Sequence, residues 1–292
     1  MITPHGKLVK VKGKNMHIRQ MGSGEKTIVL LPGLGTPLPS VEFAPLMREL
    51  SKKHTVCVVE IFGYGHSDGT DSPRTNENHT EEIREGLKMA GLQPPYVLMP
   101  FSCTGIYSEY YAAKYPSEIA GLILLDTTAT VDSYAQLFAK LEEQPDDDFD
   151  SEEDVAEEAE QSYDMDEMIA EYVRHGYTLE EVNEIIDMTA ELTHMDTQLA
   201  QEKALSENIF EVSSMPIPKK LPVLVLHADW LEDLDEDELN EHKKHYYDHM
   251  QRLGEDAKLV VIKGSTHEDI YYHSDFRRVI SNEVDNFLAC IK

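Results

Sequence analysis

Residues 97–116, VLMPFSCTGIYSEYYAAKYP, begin as an apolar run, turn sharply between Pro100 and Gly105, and continue as an amphipathic helix. A strand that passes through a tight turn straight into a helix is the repeating unit of parallel sheets, whose strands need a crossover connection. Three nucleophile-type side chains, Ser102, Cys103 and Thr104, sit side by side at this turn. Backbones crowd around such a turn, so the positions two before and two after an exposed nucleophile must be small, and the nucleophile's own dihedrals are strained. With Ser102 central those positions are Pro100 and Thr104; with Cys103 central they are Phe101 and Gly105. Phe101 is too bulky for the crowded place, which favours Ser102. Thr104 stands where Gly is usual, and Phe101 where His or a similar residue often precedes the Ser.

The same alternation extends in both directions. Apolar strands are expected at Ile28 to Leu31, Thr55 to Ile61, Tyr96 to Met99, AGLILLD, LPVLVLHAD and KLVVIKG, and helical spacing fills the intervals between most of them. Strands apolar on both faces, alternating with helices, indicate a mostly parallel, doubly wound α/β sheet covered on two sides. Residues 129–216 interrupt the pattern with helical segments and no convincing strand. They are expected to form a helical cap inserted into a core made of residues 1–128 and 217–292, with Pro216, Pro218 and Pro222 marking re-entry.

The chain has 292 residues and a formal net charge of -29. That charge disfavours nucleic acid or an anionic membrane surface as a partner, because phosphates would be repelled before contact. Residues 141–170 hold 15 Asp or Glu and no Lys, Arg or His, and read as a solvated, partly disordered connection feeding a surface helix. The spaced ligands and central Gly of a calcium loop are missing there. Cys57, Cys103 and Cys290 fall at unrelated spacings, giving neither a disulfide framework nor a metal pattern. No run approaches a membrane span and the N-terminus lacks signal-peptide features, so the expectation is a cytoplasmic protein, with room for a leader or anchor upstream.

With LLPGLGTP, FGYGHSDG, MPFSCTGIYSEYYAAKYP, AGLILLD, LPVLVL and GSTH in fixed order, the chain resembles the α/β-hydrolase superfamily, and within it the bacterial capped serine esterase-like members. The resemblance covers about residues 7–128 and 217–292. It implies a Ser hydrolase without a cofactor or metal, acting on a small-molecule ester of small to medium acyl group. Ser102 would attack the acyl carbon, and His267, on the loop after the last strand, would take its proton. The backbone N–H groups of Leu34 and Cys103 would form the oxyanion hole. The acid is assigned to Asp126, ending AGLILLD 24 residues after Ser102, with Asp229, near the commoner position around residue 231, as the reserve. Ser102 argues against the epoxide hydrolases and dehalogenases of this fold, which use an Asp nucleophile.

Other readings stay open. A catalytically silent, ligand-binding or regulatory member would keep the pocket but misplace the acid; C–C hydrolase, peroxidase and lyase relatives keep a Ser. In NEHKKHYYDHMQ, His242, His245 and His249 lie along one helical stripe, which is read as a solvated His-rich face rather than a metal site. His273 is read as structural. The sequence does not fix an oligomeric state.

Overall fold

The computed structural model describes residues 2–3, 5–143, 165–191, 195–229 and 236–291. Nine strands form one sheet: β1 (Ile2–Thr3), β2 (Gly6–Val11), β3 (Lys14–Met21), β4 (Thr27–Leu31), β5 (Thr55–Glu60), β6 (Tyr96–Pro100), β7 (Ile119–Leu125), β8 (Val223–Ala228) and β9 (Lys258–Ile262). Their order is β1-β2-β3-β5-β4-β6-β7-β8-β9. The first three pairings are antiparallel and the remaining five parallel.

The period-two geometry of a strand sends alternate residues to opposite faces, and here both faces are dry. Val29, Leu31, Leu98, Leu122, Leu124 and Val225 belong to one buried cluster, with Ile83, Leu87, Tyr111 and Ala112 packed on them. Their sequence neighbours Ile28, Leu30, Met99, Ile123, Leu125 and Leu226 belong to the other, with Leu46, Met47, Ile280 and Val284. Each fully buried aliphatic side chain contributes about 1.5–3 kcal/mol relative to exposure, so a strand slip of one residue would exchange both faces at once. The doubly wound reading of the sequence therefore describes this sheet.

The covering helices of the core are α1 (Pro39–Glu42), α2 (Ala44–Leu50), α3 (Asn76–Met89) and α4 (Thr104–Lys114). The stretch SVEFAPLMRELSKK, whose apolar spacing is helical, is divided at Phe43, where Pro45 lacks the N–H that would continue the ladder. Between β7 and β8 the described residues form α5 (Asp132–Glu143), α6 (Met165–Arg174), α7 (Leu179–Glu191), α8 (Met195–Glu202) and α9 (Leu205–Ser213). The core resumes with α10 (Glu236–Leu253) and α11 (Ser274–Cys290). Residues 144–164, most of the acidic stretch, lie outside the described residues. Among the described residues no helix is long and apolar enough to cross a membrane.

Candidate functional site

The turn after β6 places Ser102 at φ 56°, a left-handed conformation that side chains other than Gly rarely adopt. Neighbouring strands hold it there: the Phe101 N–H donates to Leu31 O at 3.0 Å and the Ser102 N–H to Leu125 O at 3.3 Å. Two glycines make the turn possible. A Cβ on Gly33 would lie 2.9 Å from the Ser102 Cβ, and one on Gly105 would lie 2.5 Å from the Thr127 Cβ. Thr104 is tolerated in the usual Gly place because its hydroxyl is absorbed, donating to Phe101 O at 2.9 Å. The demand for Gly has moved one residue on, to Gly105.

The three adjacent candidates therefore have different surroundings. The Ser102 Oγ stands 3.2 Å from His267 Nε2. The Cys103 thiol is buried in an apolar cluster with Ile106, Tyr107 and Leu205. Burial pushes that thiol up to about 11, even though the Gln201 amide donates to its sulfur at 3.4 Å, so it stays protonated and unreactive at neutral pH. Thr104 is fully buried.

His267 lies on the loop between β9 and α11. Its Nδ1 is 2.5 Å from Asp126 Oδ2, and its ring stacks on Phe101, centroids 4.7 Å apart and planes 22° from parallel. Phe101 in turn packs edge-on against Tyr271, whose hydroxyl donates to Glu42 Oε2 at 2.9 Å. Phe101, an irregularity in the sequence motif, is thus the floor under the imidazole. Asp126 follows β7 at φ 43°, a second left-handed non-Gly residue at the same place. Its Oδ1 accepts the Ala228 N–H at 2.8 Å and faces His227 Nδ1 at 3.1 Å. Burial alone would raise the Asp126 carboxyl, but the bonds from His227 and His267 hold it well below the usual carboxylate range. It is an anion at neutral pH, and its side chain is 2% exposed while that of His267 is 44% exposed.

The structure thus brings Ser102, His267 and Asp126 into one line and does not bring Asp229 to it. The Asp229 carboxylate accepts from Lys263 Nζ at 2.9 Å and from the Gly264 N–H at 3.1 Å, tying down the start of the loop that carries His267. Leu34 follows Gly33, where an added Cβ would lie 2.9 Å from the Ser102 Cβ, and Cys103 follows Ser102 directly at the start of α4. An imidazole with a hydroxyl on one nitrogen and a buried carboxylate on the other can take the hydroxyl proton and keep the resulting cation stabilised.

The His-rich face is a correction. His245 and His249 are buried, not solvated: His249 Nε2 is 2.8 Å from Glu109 Oε1, and His245 Nδ1 is 2.8 Å from Ser133 Oγ. Partners on α4 and α5, more than 100 residues away in sequence, turn a polar-looking stripe into an interior one. Among the described residues no group of three or more His, Cys, Asp or Glu is arranged to hold a metal ion. His273 caps α11, its Nδ1 accepting the Asp275 N–H at 3.3 Å. His227 was missed in the sequence; a polar residue ending the apolar strand LPVLVLHAD was the available signal.

A family model described as the alpha/beta hydrolase fold matches residues 26–274. The Bacillus subtilis protein YbdG is 40% identical over 121 residues, 41% of this chain and 37% of that protein. Mouse serine hydrolase BPHL is 34% identical over 127 residues, 42% of this chain and 43% of that protein. The chain thus spans less than half the length of these curated relatives. The structure of Cfl2 from Burkholderia cenocepacia matches with a TM-score of 0.68 at 18% identity, covering 96% of this chain and 94% of that one, a likeness of fold.

Proposed function

The chain belongs to the alpha/beta hydrolase fold family, and from that premise we propose that it is a serine hydrolase cleaving carboxylic esters through an acyl-enzyme. The observation that carries the reading is the line from Ser102 Oγ to His267 Nε2 at 3.2 Å and from His267 Nδ1 to Asp126 at 2.5 Å. Ser102 attacks the acyl carbon as its proton passes to His267, which then delivers that proton to the leaving alkoxide. Water, deprotonated by the same imidazole, releases the acid and restores Ser102. Asp126 fixes the imidazole tautomer and stabilises the imidazolium. The N–H groups of Leu34 and Cys103 receive the tetrahedral oxyanion.

The described residues between β7 and β8 act as the cap over this centre. Ala135 and Leu205, from that segment, share an apolar cluster with Cys103 and partly buried Leu34, Tyr134 and Phe138, which favours an uncharged, apolar acyl group of small to medium size. The name of BPHL, a serine hydrolase, is consistent with this chemistry. The test is Ser102→Ala against a panel of nitrophenyl esters of increasing chain length and a fluorophosphonate probe. The variant should lose turnover by about a millionfold, as removal of a triad Ser does, and lose labelling, whereas Cys103→Ala keeps it. Labelling that persists in the Ser102 variant overturns the assignment.

A further inference from the structure

In the sheet order β7, β8, β9, a carboxylate at the end of β7 meets an imidazole on the loop after β9 only by reaching across the end of β8. An acid at the end of β8 itself would have a shorter path. The longer reach leaves the Asp126 side chain in need of support, because small misplacements of a catalytic group cost large factors in rate.

The end of β8 supplies that support twice. The strands run in register with Leu125 opposite Leu226, so the next residues of β8 lie beside Asp126. The Ala228 N–H donates to Oδ1 at 2.8 Å, and His227 Nδ1 stands 3.1 Å from the same oxygen. The carboxylate is thereby divided, Oδ2 toward His267 and Oδ1 toward β8. One backbone N–H leaves the group free to swing about that bond; a second polar contact, the His227 nitrogen 3.1 Å away, approaches from another direction and restricts the swing. His227 is itself braced. It is 5% exposed, and its ring lies 3.8 Å from the Tyr246 ring, planes 39° apart. The Tyr246 hydroxyl donates to Thr127 O at 3.1 Å, so the brace returns to the residue after the acid.

We propose that His227 is a positioning residue for the Asp126 and His267 pair, its Nδ1 holding Oδ1 so that Oδ2 stays on His267; this rests on the roles assigned above to Ser102, His267 and Asp126. His227→Phe keeps a ring against Tyr246 and removes the nitrogen that faces Oδ1, while His227→Asn returns a polar N–H near the Nδ1 position. The readouts are kcat and KM on a nitrophenyl ester and, without substrate, the low-field proton resonance of the hydrogen bond between His267 and Asp126. His227→Phe should lower kcat about 10- to 100-fold at unchanged KM and weaken or displace the resonance; His227→Asn should recover most of both.

A His227→Phe protein with native kcat and resonance overturns the proposal. So does a His227→Asn protein that folds, by circular dichroism and Tm, yet is as slow as the Phe variant, since packing would then be the whole role of the ring. If the Phe variant does not fold, the Asn variant decides alone, upheld by native kcat and resonance and overturned by their loss. Should the resonance respond as expected while Ser102→Ala retains turnover, the positioning stands and the proposed hydrolysis falls.

Discussion

Two of the histidine–carboxylate pairs in this protein are not separated by their distances alone. His267 Nδ1 is 2.5 Å from Asp126 and His249 Nε2 is 2.8 Å from Glu109. Both carboxylates are buried anions; burial alone would raise Glu109, but His249 and Arg252 bring it down to about 2. The difference lies in what else each pair touches. Glu109 is also held by Arg252 and by the Thr130 hydroxyl at 2.6 Å, and His249 is 1% exposed, so every group there faces protein. The imidazole of His267 has its other nitrogen on a hydroxyl at 3.2 Å and nearly half its surface open. A proton relay needs an accessible, unfinished end; a saturated pair is a rivet.

The sharpest attempt to break this contrast is Asp126→Asn, which should lower kcat about 10⁴-fold, as loss of a tautomer-fixing carboxylate does, with the Tm nearly unchanged. Equal activity in the variant would put Asp126 in the rivet class. Glu109→Gln should do the reverse. Leaving Arg252 with a neutral partner costs about 3–5 kcal/mol of stability, read by urea unfolding, while kcat per folded molecule stays at the wild-type level.

The Glu109 contribution also has a signed pH dependence. Because its folded-state pKa is depressed, from an ordinary 4.5 to about 2, the stabilisation is complete above the ordinary value and disappears as pH falls through that window. The stability gap between wild type and Glu109→Gln should therefore close between pH 4.5 and 2; a gap constant through that range would mean that the ion pair is not its source. The smallest effect belongs to Asp229→Asn, whose carboxylate faces exposed Lys263. Its kcat should match the wild type, and a large loss would reopen the choice of acid.

How much of this was readable beforehand follows the range of the interactions. The strands of the parallel sheet, the Ser102 turn and the loop of His267 are local patterns, set by periodicity and by crowding within a few residues. The place of Thr104 was legible only as a departure, because its hydroxyl partner is backbone and the compensating Gly105 meets Thr127 on the loop after β7. The burial of His245 and His249 was not legible at all. Their partners Ser133 and Glu109 lie on other elements, and a stripe of His among Lys and Asp reads as solvated until those elements are folded against it. Asp229 had to be kept in reserve behind Asp126 for a related reason: both end apolar strands, and what separates them is which partner each carboxylate meets, His267 for one and Lys263 for the other.

Arg252 carries a consequence for anyone wishing to pare the protein down. Its guanidinium joins Glu109 on α4 and Thr130 just after β7, and donates to Val212 O at 2.6 Å, Met215 O at 3.1 Å and Ser213 O at 3.2 Å near the other end of the excursion between β7 and β8. One side chain therefore laces together stretches that a modular view of the gene would treat as separable. Excising residues 132–213 to obtain a minimal sheet would take two backbone acceptors, Val212 O and Ser213 O, from that cation. A trimmed scaffold should be built with an apolar replacement at 252 and at 109 from the outset, or kept whole.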